Sequence, residues 1–195
     1  MSLDAEPIAV TLRVAAELER LGIDYLVGGS VASSVHGRPR TTQDVDLVAR
    51  VAGRHVAALV SGLEKEFYID ADMISDAIRR RASFNIVHLA TMLKVDIFVF
   101  AGDDFGKEEM RRRVPVMLRN ARIWFASAED IVLQKLEWYR KGQGVSERQW
   151  RDAVGVIEVQ GDRFDRQYAL LWAERLALRD LLDRAFAEAA STAMD

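Results

Sequence analysis

Apolar positions recur at helical spacing in some segments of the chain and form short continuous or alternating runs in others. Helical spacing, or a short run that ends at a glycine or a basic cluster, predicts helices over residues 6–21, 30–36, 54–66 and 72–81. The short apolar runs predict strands over residues 24–28, 44–50, 84–90, 93–100, 114–118 and 121–125. We expect the last four strands to form two antiparallel hairpins, the second of which turns at Arg119 and Asn120.

From residue 127 onward the pattern is helical. Ser127 and Asp130 fit a capping box, in which the serine accepts a hydrogen bond from a backbone amide and the acid reaches back. The helix that begins there is expected to run to about residue 140. The segment 141–144 is a break, and further helices are predicted over residues 146–160 and within 165–190.

The change of pattern near residue 126 is the best domain boundary. Before it lies mixed helix and strand, with Asp103 and Asp104 on a connection after Gly102. We therefore expect an α+β fold. Its first domain, 1–126, would hold a small mixed or antiparallel sheet with helices, and its second domain, 127–195, a C-terminal helical bundle.

Composition limits the class of protein. Half of the 195 residues are hydrophobic and 29% are charged, which is typical of a soluble globular protein. No cysteine is present and the three histidines are scattered, which argues against thiolate or His-rich metal sites. The N-terminus lacks the basic segment of a signal peptide, and no apolar run reaches the roughly 18 residues of a membrane span. We expect a cytoplasmic protein with no membrane contact.

A net charge of −3 argues against a general nucleic-acid binder. Two arginine clusters, 79–81 and 111–113, are either solvated ends of elements or local patches that could contact RNA.

Aspartates interrupt two of the predicted strands. Asp44 and Asp46 are one residue apart, so their side chains project to the same face of a strand, and Asp96 lies in the middle of a later one. A carboxylate inside a strand is costly unless it is exposed, paired or bound to a cation. An edge strand facing water, a pairing with Arg38 or Arg40, and a hard divalent cation held by oxygen ligands are the alternatives.

If the two strands are neighbours, three carboxylates converge, which suits one or two Mg²⁺ ions shared with substrate phosphates. Upstream, Gly28 and Gly29 stand between a strand and a helix, and Ser30 begins that helix. Such a segment is either a tight turn or a phosphate cradle, because glycine allows close approach and a helix N-terminus attracts anions.

The segment GGSVASSVHGRPRTTQDVDLV, from Gly28 to Val48, resembles the nucleotidyltransferase superfamily with the polymerase-β-like fold. It looks most like the AbiEii-type and related minimal nucleotidyltransferases, which read GG-x-A and then H/Y-G-x-x-R-x-T-x-D-x-D-L. Arg40 and Thr42 fall on that pattern, as do both aspartates. Two later segments, SAEDIVLQKL with Lys135 and RQWRD ending at Asp152, are similar to further blocks of the family.

The resemblance implies a Mg²⁺-dependent enzyme, with two ions expected and Mn²⁺ as a substitute, that transfers a nucleoside monophosphate from an NTP to an acceptor hydroxyl. The predicted catalytic residues and metal ligands are Asp44, Asp46 and Asp96. The predicted nucleotide-binding residues are Gly28, Gly29, Ser30, Arg40, Thr42 and Lys135. The acceptor could be tRNA or protein, and the chain could be a toxin with an antitoxin partner. The alternative is an inactive NTP-binding regulatory or interaction protein of the same fold.

Several of these residues also have a structural interpretation. Lys135 could be a solvated helix position, and Arg148, Arg151 and Asp152 could form surface ion pairs. His36 is expected to cap carbonyls at a helix end. Three aromatic residues could stack a base but fit a core better: Trp138, Tyr139 and Trp150.

Overall fold

The structure, a computed structural model, describes residues 6–192, which contain nine α-helices and seven strands. The helices are α1 Glu6–Arg20, α2 Gly29–His36, α3 Val56–Leu63, α4 Ala71–Arg80, α5 Asp104–Arg112, α6 Ala128–Lys141, α7 Glu147–Gln160, α8 Arg166–Arg175 and α9 Arg179–Thr192. The strands are β1 Tyr25–Val27, β2 Asp44–Ala49, β3 Phe67–Tyr68, β4 Ser83–His88, β5 Lys94–Val99, β6 Val114–Leu118 and β7 Ala121–Phe125. Residues 1–5 and 193–195, at the outer ends of the two predicted domains, lie outside the described residues.

All seven strands form one sheet, in the order β3-β4-β5-β2-β1-β7-β6. Strand β2 pairs antiparallel with β1 and parallel with β5, so the sheet is mixed, as expected. The two hairpins, β4–β5 and β6–β7, are confirmed. Leu118 pairs with Ala121 at the tip of the second hairpin, and Arg119 there has a positive φ of 52°. The α+β fold class is therefore confirmed.

The chain divides into two compact units, and the division does not follow the sequence in a single step. Within the described residues, the first unit comprises 6–31 and 41–125, and the second comprises 32–40 and 126–192. The chain thus passes from one unit to the other within α2, a change that hydrophobic periodicity alone does not reveal.

In the first unit, apolar residues alternate with half-buried polar ones along the central strands. Val45, Leu47 and Ala49 of β2 are fully buried, and Val95 and Ile97 of β5 behave in the same way. Helix α1 contacts β2 and β7, while α3 packs against both α1 and α4. Burial of these side chains supplies the main driving force for folding of the sheet.

In the second unit, α7 packs against both α6 and α9. Ser127 caps α6 as expected, because its hydroxyl oxygen accepts a hydrogen bond from the backbone N–H of Asp130 at 3.2 Å. The Asp130 carboxylate accepts hydrogen bonds from the Ser127 hydroxyl at 2.8 Å and the Tyr168 hydroxyl at 2.5 Å. The buried acid therefore ties the start of α6 to α8.

One α-helix and one strand were not predicted. Residues 104–112 form helix α5 rather than a connection, and Asp103 is its N-cap, accepting a hydrogen bond from the Gly106 N–H at 2.7 Å. The other element is the two-residue strand β3 at the sheet edge. Among the described residues, no helix is both long and apolar enough to cross a bilayer.

Candidate functional site

The three aspartates of interest lie on the two central neighbouring strands. In the parallel pairing of β2 with β5, Asp46 is in register with Asp96, and Asp44 is in register with Lys94. All three aspartates are half-buried, while the residues between them are fully buried. The edge-strand interpretation is therefore wrong, because β2 is the middle strand of the sheet.

Gly29 leaves room for the Asp46 carboxylate beside the start of α2. The residue has a positive φ of 55°, and a Cβ built on it would lie 1.8 Å from Asp46 Oδ2 and 2.5 Å from its Cγ. The Asp46 carboxylate thus occupies the space that any side chain at Gly29 would need. The helix N-terminus beside it carries partial positive charge, which favours an anion there. The neighbouring Gly28 N–H donates to the Asp46 carbonyl oxygen at 2.9 Å, which fixes the turn against β2.

Thr42 holds the first carboxylate of the motif. Its hydroxyl donates a hydrogen bond to Asp44 Oδ1 at 2.6 Å. Ser30, the second residue of α2, is buried. Its predicted role in phosphate binding stays a prediction.

Lys94 is a member of this site that sequence reasoning missed. Its Nζ lies 2.7 Å from Asp96 Oδ2. The hydrogen bond with Asp96 raises the pKa of Lys94, burial opposes it, and the charges of Asp96, Asp44 and Asp46 raise it further. The signal was available, because Lys94 precedes Asp96 by two residues on a strand and so faces the same side of the sheet.

The strand register of this site suits a divalent cation, but the present positions of its side chains do not. Asp46 and Asp96 lie opposite each other on adjacent strands, whose backbones in a sheet are about 4.8 Å apart. Carboxylate oxygens are suitable ligands for Mg²⁺ or Mn²⁺. Within residues 6–192, however, no three acidic or histidine side chains are gathered closely enough to hold a metal. The backbone register thus suits the cation, while the side chains of Asp44 and Asp96 are turned to Thr42 and Lys94.

In the second unit, Arg40 and Lys135 converge on Asp152. Arg40 Nε and Nη2 each lie 2.8 Å from a different oxygen of the Asp152 carboxylate, and Lys135 Nζ lies 2.8 Å from Oδ2. The Lys135 side chain is 4% exposed, so the interpretation as a solvated helix position is wrong. Burial acts to raise the pKa of Asp152, but its hydrogen bonds with Arg40 and Lys135 and their charges outweigh burial and lower it.

This cluster changes the interpretation of the RQWRD segment. Arg151 does form a surface ion pair, with Glu147. Asp152 does not, because it is buried and bound by both cations. That Arg40 and Lys135 bind nucleotide stays a prediction.

His36 holds a carbonyl outside its own helix. Its Nε2 lies 2.8 Å from the carbonyl oxygen of Ala126, to which it donates. The prediction that His36 caps carbonyls at the end of α2 is therefore wrong, because its partner is the Ala126 carbonyl. Burial lowers the pKa of His36, whereas the hydrogen bond to Ala126 and the charge of Glu129 oppose that change.

The three aromatic residues and the first arginine cluster are more exposed than a core would require. Trp138 is 51% exposed, and the half-buried rings of Tyr139 and Trp150 lie 5.1 Å apart in a tilted pair. The core assignment is thus wrong for Trp138. The residues 79–80 end α4 in ion pairs with Asp76, which agrees with a solvated helix end.

No protein-family model and no curated protein sequence matches the chain. Three similar solved structures are as follows. An antigenic nucleotidyltransferase-like protein from Paracoccidioides brasiliensis has a TM-score of 0.56 and 18% identity, over 92% of this chain and 91% of that one. ANT(2'')-Ia in complex with adenylyl-2''-tobramycin has a TM-score of 0.55 and 14% identity, over 93% and 99%. The lincomycin-bound lincosamide antibiotic adenylyltransferase LnuA has a TM-score of 0.51 and 12% identity, over 76% and 94%.

At these identities the comparisons concern the fold. They agree with the mixed sheet and helices described above, and with the resemblance carried by the segment from Gly28 to Val48. The narrower AbiEii-type assignment stays a prediction. The chain therefore has the fold of the nucleotidyltransferases.

Proposed function

We propose that this protein is a nucleotidyltransferase that transfers a nucleoside monophosphate from an NTP to an acceptor hydroxyl. The observation that carries the proposal is the placement of Asp44, Asp46 and Asp96 on one face of neighbouring central strands, beside the glycine at the start of α2. In the reaction, the acceptor oxygen forms a bond to the α-phosphorus, the bond to the bridging oxygen breaks, and pyrophosphate leaves. Such chemistry depends mainly on positioning and charge neutralisation.

Charge explains why a cation belongs to this proposal. The three aspartates and Lys94 together leave an excess of two negative charges on one face of the sheet. A triphosphate would be repelled by that face unless a cation stood between them. A bound Mg²⁺ would neutralise the developing charge on the phosphate oxygens. We propose Asp44, Asp46 and Asp96 as its ligands, and Mn²⁺ as a substitute.

The chain's own groups take the remaining roles in this proposal. The start of α2, with Gly28, Gly29 and Ser30, would bind phosphate through backbone amides and the serine hydroxyl. Thr42 would hold Asp44 in place through its hydrogen bond. Asp96 would accept the proton of the acceptor hydroxyl, as general bases do when they lie within hydrogen-bond reach.

One observation favours a second function, nucleotide binding without transfer. Asp96, the proposed base, is bound by the Lys94 ammonium at 2.7 Å. A chain that kept this ion pair in its nucleotide complex would bind an NTP and leave the acceptor hydroxyl unactivated. Label transfer to an acceptor separates the two functions.

The first experiment measures thermal unfolding with each NTP, with and without Mg²⁺, for the wild type and Asp46→Asn. At a ligand concentration 100-fold above Kd, binding stabilises a protein by about 2.7 kcal/mol, or roughly 5–10 °C in Tm for a chain of this size. We expect the wild type to gain this stability with Mg-NTP and Asp46→Asn to lose most of the gain. Asp72→Asn, an exposed carboxylate in the first turn of α4, is the matched control and should behave as wild type. A wild type that ignores every Mg-NTP would refute the proposal.

The acceptor is then sought with an NTP labelled at the α-phosphate. We propose hydroxyls of tRNA or protein as the first acceptors to test. Hydroxyl-bearing antibiotics are the second, because one structural neighbour is named an antibiotic adenylyltransferase and another an antibiotic-resistance factor. A toxin role predicts growth arrest on expression of the wild type and normal growth with Asp46→Asn. Normal growth with an active wild-type enzyme would contradict the toxin role alone.

A further inference from the structure

Lys94 lies where the carboxylates of the site meet. It is in register with Asp44 across the β2–β5 pairing and two residues before Asp96 on the same face of β5. Its Nζ contacts Asp96 Oδ2 at 2.7 Å. A positive charge at this point offsets the repulsion between Asp46 and Asp96, which are directly opposite each other on adjacent strands.

The exposure of the Lys94 side chain allows its ammonium to move away from Asp96. It is 46% exposed, whereas the Asp96 side chain is 20% exposed. The lysine stem is long and flexible, and its ammonium is strongly hydrated, so the head can move into water at little cost. Asp96 has a short side chain on a strand that is paired on both sides, so its carboxylate must stay near this face of the sheet.

We propose that Lys94 is a resident counter-ion of the site, which holds Asp96 until a divalent cation takes its place. The inference rests on the proposed function, since it assumes that Asp96 is a ligand of that cation. Lys94 is then a positioning residue. Its ammonium keeps the carboxylates in place without metal, and its departure from Asp96 is a required part of cation binding.

The consequence is a competition between two cations for the same oxygen. Removing the ammonium should therefore tighten divalent binding, because the incoming ion no longer displaces a bound charge and meets less repulsion. Keeping the positive charge in another side chain should preserve the competition. A lysine that merely supported the fold would give the opposite result, since its loss would loosen the site and weaken cation binding.

The test is Mn²⁺ binding, followed by electron paramagnetic resonance of the free ion, without nucleotide. Lys94→Met keeps the length of the stem and removes the charge, and we expect its Kd for Mn²⁺ to fall about tenfold. Lys94→Arg should stay within about threefold of wild type. The matched control is Lys107→Met, which removes the same charge from an exposed helical ion pair with Asp104 in the same unit, and which should leave the Kd within about twofold.

The possible outcomes distinguish a failure of the counter-ion role of Lys94 from a failure of the proposed metal site. If Asp46→Asn abolishes Mn²⁺ binding while Lys94→Met binds no more tightly than wild type, the counter-ion role is wrong and the metal site stands. If neither the wild type nor Lys94→Met binds Mn²⁺, both the inference and the proposed metal site fail. Circular dichroism checks that each variant is folded, and Lys94→Gln replaces Lys94→Met if the latter does not fold.

Discussion

Gly29→Ala is the substitution for which the structure makes the sharpest prediction. An alanine Cβ at this position would lie 1.8 Å from Asp46 Oδ2 and 2.8 Å from the Asp46 Cβ. Rotation of the Asp46 side chain could move its oxygens away, but its Cβ is fixed to the strand. The carboxylate must therefore leave the start of α2, and the backbone must also shift.

Two costs add at this position. A non-glycine residue at a positive φ costs roughly 1–2 kcal/mol. A side chain forced from its preferred rotamer costs about 0.5–1.5 kcal/mol more. We expect Gly29→Ala to lower the free energy of unfolding by about 2–3 kcal/mol, or roughly 5–10 °C in Tm.

The chain provides a control that isolates the second cost. Gly22 also has a positive φ, 66°, but a Cβ there would meet nothing within 4 Å. Gly22→Ala should therefore lower the free energy of unfolding only through the strain of a positive φ. The entropic effect of alanine on the unfolded chain is the same in both variants. The Mg-NTP shift should survive in Gly22→Ala and be lost in Gly29→Ala, because only the second displaces Asp46.

A double-mutant cycle with Asp46→Gly, measured by chemical denaturation, tests the cause directly. If the clash with Asp46 is real, Gly29→Ala should cost about 1 kcal/mol less once the Asp46 side chain is gone. Additive effects within about 0.5 kcal/mol, or equal destabilisation by Gly22→Ala and Gly29→Ala, would refute the reasoning.

Two further predictions concern the second unit. Asp152→Asn removes a negative charge that pairs with both the buried Lys135 ammonium and Arg40, and we expect a loss of about 3 kcal/mol in the free energy of unfolding by denaturant. Glu147→Gln, in an exposed ion pair on the same helix, should cost under about 0.5 kcal/mol. Equal costs would contradict the structural role of Asp152. The lowered pKa of His36 favours its neutral form in the folded protein, so its contribution to stability is full above about pH 6.5 and is lost as the pH falls through the lowered pKa. His36→Gln, which keeps a donor for the Ala126 carbonyl, should make stability less sensitive to pH between 7.5 and 5.5, and an unchanged slope would contradict this assignment.

Local sequence patterns allowed most helices and strands to be predicted. The two that were missed have physical features that hide them from such patterns. Helix α5 was missed because its sequence, DFGKEEMRR, has little apolar periodicity and contains a glycine. The N-cap residue Asp103 was the signal available, but a cap without a periodic segment behind it also fits a turn. The two residues of β3 are too few for any alternation to be recognised.

Register and long-range pairing could not be predicted in the same way. The parallel pairing of β2 with β5 joins strands separated by two helices and two strands, so only the closed sheet places Asp46 opposite Asp96. The ion pair between Arg40 and Asp152 likewise joins residues 112 positions apart. Lys94 is different, because its shared face with Asp96 follows from the period of a strand and could have been predicted.

Two groups of aspartates in this chain differ in charge balance, which distinguishes a structural carboxylate from those that we propose to bind a cation. Asp152 is bound by two cations and therefore contributes to stability, so its neutralisation should destabilise the fold. Asp44, Asp46 and Asp96 share one face of the sheet with Lys94, so these four residues bring three carboxylates and one ammonium together. Neutralising Asp46 without ligand removes its repulsion with Asp96, which lies opposite it, and we expect the metal-free Asp46→Asn protein to lose far less stability than Asp152→Asn does. A fold tolerates such local repulsion where binding of a cation offsets it, so a much smaller loss of stability in Asp46→Asn than in Asp152→Asn would support a binding role for the face of β2 and β5.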